Sequence, residues 1–244
     1  MGDNNIYEKL RDLLEKAGGK YSILEEQVDV DLQMKFFEFS NNLRRNKRSY
    51  EEIIGNIDTL YDVEADLERK KIILAELSEC DTVEAFRELE KFLKHVDAKL
   101  KPWALLSFQH CRIGLESHLL DEHKVFISTG LGGKDDKLRY FIAFKNKKGI
   151  EFSETQIKII DNEFPFIFKK NDCIIENTQY LDQYFSILAI MPVDCVLNDI
   201  ITAAIDEVNL YGDFLQSDYL ITNVKKLEKK DIEFYFNKEK KNEK

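Results

Sequence analysis

The spacing of apolar side chains changes near residue 124, and this change constrains the fold more than any other feature of the sequence. Before it, apolar residues recur every three or four positions, as over residues 83–100, and this spacing places them on one face of a helix. After it, apolar residues alternate with other side chains, as over residues 140–144, which is typical of a half-buried strand. The change predicts an all-helical domain over residues 1–123 and an α+β domain over residues 124–244.

Five helices are predicted in the first domain, and their ends carry capping signals. Gly18 and Gly19 follow the first helix, because glycine readily takes the left-handed conformation that ends helices. Ser22 opens the second helix. Ser49 and Glu52 form a capping box at the start of the third, in which the hydroxyl and the carboxylate each accept a backbone N–H bond. The predicted ranges are 6–17, 22–45, 49–80, 81–100 and 102–123.

The second domain is predicted to contain elements in the order β-β-α-β-β-α-β, followed by a short helix and a charged tail. Two arrangements are compatible with this order: a duplicated β-β-α unit, or a ferredoxin-like sheet with one additional strand. The ferredoxin-like arrangement meets an obstacle, because its first core strand already has two neighbours and leaves no place for a hairpin partner. Both alternatives stay open, and both give a mostly antiparallel sheet with two helices on one face.

A glycine-rich segment joins the first two predicted strands of this domain. Gly133 and Lys134 match the end of a phosphate-binding P-loop, but Ser128 stands where that motif needs its first glycine and Asp135 where it needs Ser or Thr. The following residues alternate as in a strand, so no helix amino terminus would face a phosphate. The segment therefore favours a β-hairpin tip, and the alternative is a loop that binds a small anionic ligand. The candidate ligand-binding residues are Thr129, Gly130, Gly132, Gly133, Lys134, Lys137 and Arg139.

The sequence carries no recognised motif for catalysis or metal binding. His118 and Glu122 would share one helix face, but neither H-E-x-x-H nor H-x-x-x-H occurs. Pairs of carboxylates are abundant in a chain this acidic and identify no acid and base by themselves. Serine-nucleophile and cysteine-centred signatures are also absent. We therefore predict no catalytic residues, no metal and no cofactor.

Aromatic residues cover more than one face of two predicted helices. Phe36 and Phe37 are adjacent in one, and Phe164 and Phe166 lie two positions apart in the other. A helix that is apolar on several sides needs more than one partner surface, which is either the other domain or a protein partner. The basic cluster over residues 42–48 either caps a helix end or contacts a partner. The candidate partner-binding residues are Phe36, Phe37, Arg44, Arg45, Phe164 and Phe166.

Charge, cysteine usage and hydropathy narrow the cellular context. The net charge of −10 disfavours nonspecific binding to nucleic acid or to anionic membranes, because the protein's field repels both. Four scattered cysteines without a C-x-x-C pair indicate free thiols in a reducing cytoplasm. No apolar run approaches the length of roughly 20 residues that spans a bilayer. We expect a cytoplasmic protein without a membrane partner.

Together these patterns predict a non-enzymatic protein of two domains that works by recognition and assembly, through contacts with a protein partner or by self-association. Strong packing patterns, helices with surplus apolar faces and the lack of a catalytic motif motivate this interpretation. The alternative is a regulatory module that binds a small anionic ligand or nucleotide in its carboxyl-terminal α+β domain.

Overall fold

The computed structural model describes residues 20–45, 48–120 and 125–242, so the helix predicted over residues 6–17 lies outside the described residues. The chain divides into two compact units. The helical unit comprises Met1–Leu24 and Val28–Ile127, and the sheet unit comprises Glu25–Gln27 and Ser128–Lys244. The predicted fold class, helices first and an antiparallel sheet with helices afterwards, is confirmed.

The described part of the helical unit consists of six helices and one pair of short strands. The two strands run parallel to each other, with Tyr21 opposite Val125 and Ile23 opposite Ile127. In chain order the elements are β1 (Tyr21–Ile23), α1 (Val30–Arg44), α2 (Tyr50–Ile54), α3 (Asp58–Tyr61), α4 (Leu67–Ser78), α5 (Val83–Leu93), α6 (Lys101–Leu120) and β2 (Val125–Ile127).

Three predicted helices in this unit have different bounds in the structure, and one of them, predicted over residues 81–100, ends at Leu93 as α5. The helix expected to open at Ser22 begins after Asp29, whose side chain accepts a bond from the Leu32 N–H at 3.1 Å, because Ser22 is held in β1. The long helix expected over residues 49–80 begins with the predicted capping box but is divided into α2, α3 and α4. The extended backbone of Asp62, with ψ at 119°, ends α3, and Asp66, with ψ at 135°, precedes α4.

The core of the helical unit forms where α1, α4 and α6 meet. Phe36 of α1 is fully buried and meets the ring of Trp103 edge-on, with centroids 5.2 Å apart. The Trp103 indole donates a hydrogen bond to the Lys71 carbonyl of α4 at 3.0 Å. This aromatic contact and its polar anchor fix the three helices against one another.

The sheet unit alternates strands and helices, as the sequence predicts. The capping box of Ser153 and Gln156 opens its first helix, which continues through Pro165 without a break. In chain order the elements are β3 (Gly133–Lys134), β4 (Lys137–Lys145), α7 (Glu154–Lys170), β5 (Ile174–Leu181), β6 (Tyr184–Pro192), α8 (Leu197–Asn209), β7 (Leu220–Thr222) and α9 (Lys229–Asn242).

The strand order β7-β4-β6-β5, antiparallel throughout, is that of a ferredoxin-like sheet. The expected obstacle does not arise, because the additional strand β3 shares one edge of β4 with β7. β3 pairs only with Lys137 and Leu138, whereas β7 pairs with β4 from Phe141 to Ala143. The strand expected over residues 124–130 is the short β2, which pairs with β1 instead of β4.

Both faces of the sheet are covered by helices. On one face, Phe144 of β4 stacks on Phe185 of β6 at 4.6 Å and meets Phe164 of α7 edge-on at 5.0 Å. On the other face, Tyr184 stacks on Phe236 of α9 at 5.6 Å, in a cluster that includes Phe141. The sequence predicts the two helices on the first face, and the structure adds α9 on the second.

Candidate functional site

The glycine-rich segment ends in a tight β-hairpin. Gly133 pairs with Leu138 and Lys134 with Lys137, so the loop between the strands is Asp135 and Asp136. Both aspartates have positive φ, at 50° and 59°, as a two-residue type I′ turn requires. A β-hairpin therefore forms here, but its first strand is the two-residue β3 and not the strand predicted over residues 124–130, and its tip is the pair of aspartates.

The glycines before the hairpin permit close approach of two other backbone segments. A Cβ added to Gly130 would lie 1.7 Å from the Val224 carbonyl oxygen, and one added to Gly132 would lie 2.3 Å from the Glu25 carbonyl oxygen. Gly132 also has φ of 68°, a conformation that other residues rarely adopt. The need for glycine at these two positions follows from packing within the sheet unit.

The backbone donors of the segment are already bonded to carbonyls of the same chain. The Leu131 N–H donates to Asn223 O at 3.0 Å, the Gly132 N–H to Thr129 O at 3.2 Å and the Gly133 N–H to Glu25 O at 3.1 Å. A phosphate-binding loop presents such donors to its ligand. Here three consecutive donors hold the chain together, so an anion would have to displace them.

Two of the three cations in the predicted ligand set also have partners. Arg139 binds the Glu176 carboxylate through two bonds, of 2.6 and 3.1 Å, and donates to Leu131 O at 2.7 Å. The hydrogen bond from Arg139 lowers the pKa of Glu176. Lys137 lies 2.7 Å from the Asp172 carboxylate. Lys134 is exposed beside the turn. The ligand-binding interpretation stays a prediction, with Lys134 as its most accessible cation.

The aromatic residues predicted to bind a partner divide into core and surface. Phe36 and Phe164 are buried, so they serve their own units and offer no surface. Phe37 is partly buried against the helical core, and Phe166 is 64% exposed on α7. Phe36 and Phe164 are thus covered within their own units, and Phe166 presents an apolar side chain at the surface.

The predicted arginines lie at the end of α1, where Arg44 takes part in a buried charge cluster. Glu79, only 4% exposed, accepts bonds from Ser40 Oγ and from Arg44 Nε at 3.0 Å, and lies 2.9 Å from His110 Nε2. Burial would raise the pKa of Glu79, but these three bonds outweigh it and hold the pKa at about 2. Arg45 is exposed. We call this set the Glu79 cluster.

The Glu79 cluster joins α1 and α6 to the residue after α4 and contains a histidine, His110. Among the described residues, no group of three or more His, Cys, Asp or Glu side chains could hold a metal ion. The bonds of Glu79 to Ser40, Arg44 and His110 form a network that fixes α1 and α6 to the end of α4.

A groove of about 610 Å³ lies beside the edge of the sheet, and the sequence did not reveal it. One wall is formed by Asp161, Pro165 and Lys169 of α7, and the other by residues 173–178, which include the start of β5. We call it the β5–α7 groove. Its position depends on which strand lies at the sheet edge, and this is fixed by long-range pairing that local patterns do not encode.

Strand β5 forms the outer edge of the sheet in the described part of the chain. Among the described strands it pairs only with β6, so its other side carries backbone groups without a neighbouring strand. Ile174 is 52% exposed at its start. A bulge between Ile175 and Asn177 bends the strand around Glu176.

The helical wall of the groove runs antiparallel to β5. Asp161, Pro165 and Lys169 are spaced four residues apart, so they follow one face of α7. The Tyr180 hydroxyl donates to Asp161 Oδ1 at 2.7 Å near the end of β5, and burial and this carboxylate raise the pKa of Tyr180. Lys169 lies at the opposite end, one short turn before Cys173. The groove thus has an acidic end, a basic end and an apolar middle.

Two thiols meet beside the start of β5. The Cys195 thiol donates a hydrogen bond to Cys173, and this bond lowers the pKa of Cys173. Both are free cysteines, and Cys173 is buried. The sequence predicted free thiols here but did not indicate that these two are neighbours.

Comparisons with known proteins add little to this description. No protein-family model and no curated protein matches the sequence. Among solved structures, a putative transposase from Deinococcus radiodurans R1 is similar at 15% sequence identity and a TM-score of 0.37, over 42% of this chain and 90% of that chain. This similarity is too low to support a statement about function.

No helix in the described ranges combines the length and the apolar character needed to cross a bilayer.

Proposed function

We propose that the protein acts by recognition and assembly, and that it binds a protein segment in extended conformation along the outer edge of β5. The observation that carries this proposal is the β5–α7 groove. It lies beside the outer edge of β5, which pairs with no other described strand. An edge of this kind presents a row of backbone donors and acceptors to an added strand.

The side chains of the groove suit such an added strand. Backbone bonds to a sheet edge give affinity, and pockets for alternate side chains give specificity. Asp161 and Lys169 are exposed at the two ends of the groove, Pro165 offers an apolar contact between them, and the exposed Ile174 adds an apolar side chain near the basic end. An extended segment with an apolar side chain between a basic and an acidic one would match this order of groups.

The alternative function, binding of a small anionic ligand at the glycine-rich segment, has weaker support. Three consecutive backbone donors there are bonded to the chain's own carbonyls, and Arg139 is paired with Glu176. A cytoplasmic location is part of the proposal, because four free cysteines suit a reducing compartment.

Site-specific photo-crosslinking tests the proposal. A photoreactive amino acid would replace Asn177, which is exposed on β5, and in a matched control it would replace Thr202, which is exposed on α8. In cells that produce the protein, we expect the Asn177 probe to capture one protein species that the Thr202 probe does not. If both probes give the same set of products, the edge of β5 has no specific partner and the proposal fails.

A further inference from the structure

We infer that the segment occupying the β5–α7 groove is β5 of a second copy of this chain, related to the first by a two-fold axis that passes beside Pro165. This inference rests on the proposed function and specifies its partner. It is argued from the order of charges along α7, from the composition of β5 and from the symmetry that a two-fold contact imposes.

The exposed face of α7 that borders the groove has a self-complementary order of charges. Asp161 precedes Pro165 by four residues and Lys169 follows it by four, so the two charges lie about 6 Å to either side along the helix axis. When the same helix is turned end to end about Pro165, each aspartate faces a lysine of the other copy. The row of an acidic, an apolar and a basic side chain is therefore complementary to the same row running in the opposite direction.

A two-fold axis requires this property of any contact surface. In a symmetric dimer the same patch is used twice, so that residue i of one copy meets residue j of the other and j meets i. Two antiparallel β5 strands at the centre of one continuous sheet would bring the two α7 helices together on the same face. Asp161 of each copy would then meet Lys169 of the other, which gives two equivalent ion pairs.

The next exposed positions extend the pattern. Lys158 lies on the same side of α7, nearly one turn before Asp161, and Asp172 lies just beyond the end of the helix. These two again carry opposite charges on opposite sides of Pro165. Asp172 already contacts Lys137 of its own copy, so it would join a network of charges at each end of the contact.

A neighbouring exposed row of the same helix provides an internal comparison. Asn162, Phe166 and Lys170 are all exposed and have the same spacing, each one residue after the members of the first row. Turned end to end about Phe166, this row places an amide against an ammonium group and creates no ion pair. Self-complementarity is thus a feature of the row that borders the groove.

The composition of β5 is compatible with a second β5 beside it. Glu176 is its only charged residue, and this carboxylate is bound by Arg139 of the same copy at 2.6 and 3.1 Å. Like charges directly opposite each other destabilise paired strands, and the neutralised Glu176 avoids this conflict. Edge strands that must stay unpaired commonly carry exposed lysines or a proline, which β5 lacks.

Charge reversal with complementation tests the inference in solution. Sedimentation velocity of the full chain at micromolar concentrations should show a dimer for the wild type. Asp161→Lys and Lys169→Asp should each weaken dimerisation about tenfold or more, because each replaces two attractive contacts by two repulsive ones. The double variant should recover the dimer. An equimolar mixture of the two single variants should form a heterodimer, in which both contacts are again attractive.

Matched controls separate the contact from effects on the fold. Lys170→Asp makes the same change of charge one residue beyond Lys169 and should leave the dimer intact. Tyr180→Phe removes the hydrogen bond to Asp161 without changing its charge and should also leave it intact. Circular dichroism of every variant should show the helical content of the wild type, so that loss of the dimer is read from folded protein.

Each result supports or overturns the inference. A wild type that stays monomeric, or a dimer that neither single reversal weakens, overturns it. The same holds if neither the double variant nor the mixture recovers the dimer. Photo-crosslinks from Asn177 to a different protein overturn the second copy as partner but leave the proposed function standing. Crosslinks that do not differ from those of Thr202 contradict both.

Discussion

In the helical unit the Glu79 carboxylate is buried and bonded to three side chains, whereas in the sheet unit Asp161 and Lys169 stand exposed beside an open strand edge. Removing a charge from water is costly unless hydrogen bonds replace the water, so the Glu79 cluster is bound tightly to its own fold. Exposed charges contribute little to a fold and remain available for contacts with other molecules. The comparison separates charges that hold the protein together from exposed charges that, in our proposal, select its partner.

The largest expected effect is on the buried side of this comparison. Glu79→Ala removes the shared partner of Ser40, Arg44 and His110 and should lower the free energy of unfolding by about 3 kcal/mol. Denaturant unfolding at neutral pH measures this change. Glu68→Ala is the control, because its carboxylate is 71% exposed and pairs across the surface with Lys71 at 2.6 Å. Glu68→Ala should change the free energy of unfolding by no more than about 0.5 kcal/mol. Equal losses in both variants would contradict the distinction between buried and exposed charges.

The pH dependence of stability sharpens the same point. Because the pKa of folded Glu79 is about 2, below its ordinary value of 4.5, its ionised form stabilises the fold above pH 4.5. This contribution, about 3 kcal/mol in full, is lost as the pH falls from about 4.5 to about 2. Urea unfolding of the wild type and of Glu79→Gln at several pH values should show a difference in stability that shrinks over this range. A difference that stays constant would mean that folding does not lower the pKa of Glu79.

Two glycines, one in each unit, should respond in opposite directions to the same substitution. Gly132→Ala forces a side chain into φ of 68° and against the Glu25 carbonyl, so it should cost at least about 1–3 kcal/mol. Gly55 ends α2 with φ of −61° and has nothing within 4 Å of an added Cβ. Gly55→Ala should therefore raise stability by about 0.4–1 kcal/mol. Thermal unfolding of both variants checks the pair, and a Gly132→Ala protein as stable as the wild type would contradict the packing explanation.

The smallest expected effect is on the exposed side of the comparison. Lys169→Ala should change the free energy of unfolding of the isolated chain by less than about 0.5 kcal/mol, because its charge is exposed and the role that we propose for it is in contacts with a partner. Unfolding at protein concentrations low enough to keep the chain monomeric measures this value. A loss comparable with that of Glu79→Ala would show that Lys169 serves the fold.

The sequence predicted what depends on neighbouring residues and missed what depends on distant ones. The capping box of Ser49 and Glu52 and the element order β-β-α-β-β-α-β of the second domain follow from local patterns, and both were confirmed. Ser22 was a plausible helix start by local chemistry, but its pairing with β2, roughly a hundred residues away, decided its conformation. Local patterns in one sequence do not show which distant segments will pair.

The candidate site shows the same limit. The sequence drew attention to the glycine-rich segment, where Gly130 and Gly132 prove to be required by close backbone packing. It gave no reason to single out Asp161 or Lys169, because their importance depends on β5 lying at the edge of the sheet and on α7 lying beside it. The strand order that creates this edge was one of two arrangements left open.

Backbone amide hydrogen exchange along β5 tests the central claim most directly. The wild type and Asp161→Lys would be compared at the same micromolar concentration, residue by residue over Ile174–Leu181. We predict slower exchange in the wild type at alternate positions of β5, where the outer amides become bonded to an added strand, and unchanged exchange in β6. Identical exchange of β5 in the two proteins, under conditions where the wild type is associated, would contradict the claim that partners bind along this edge.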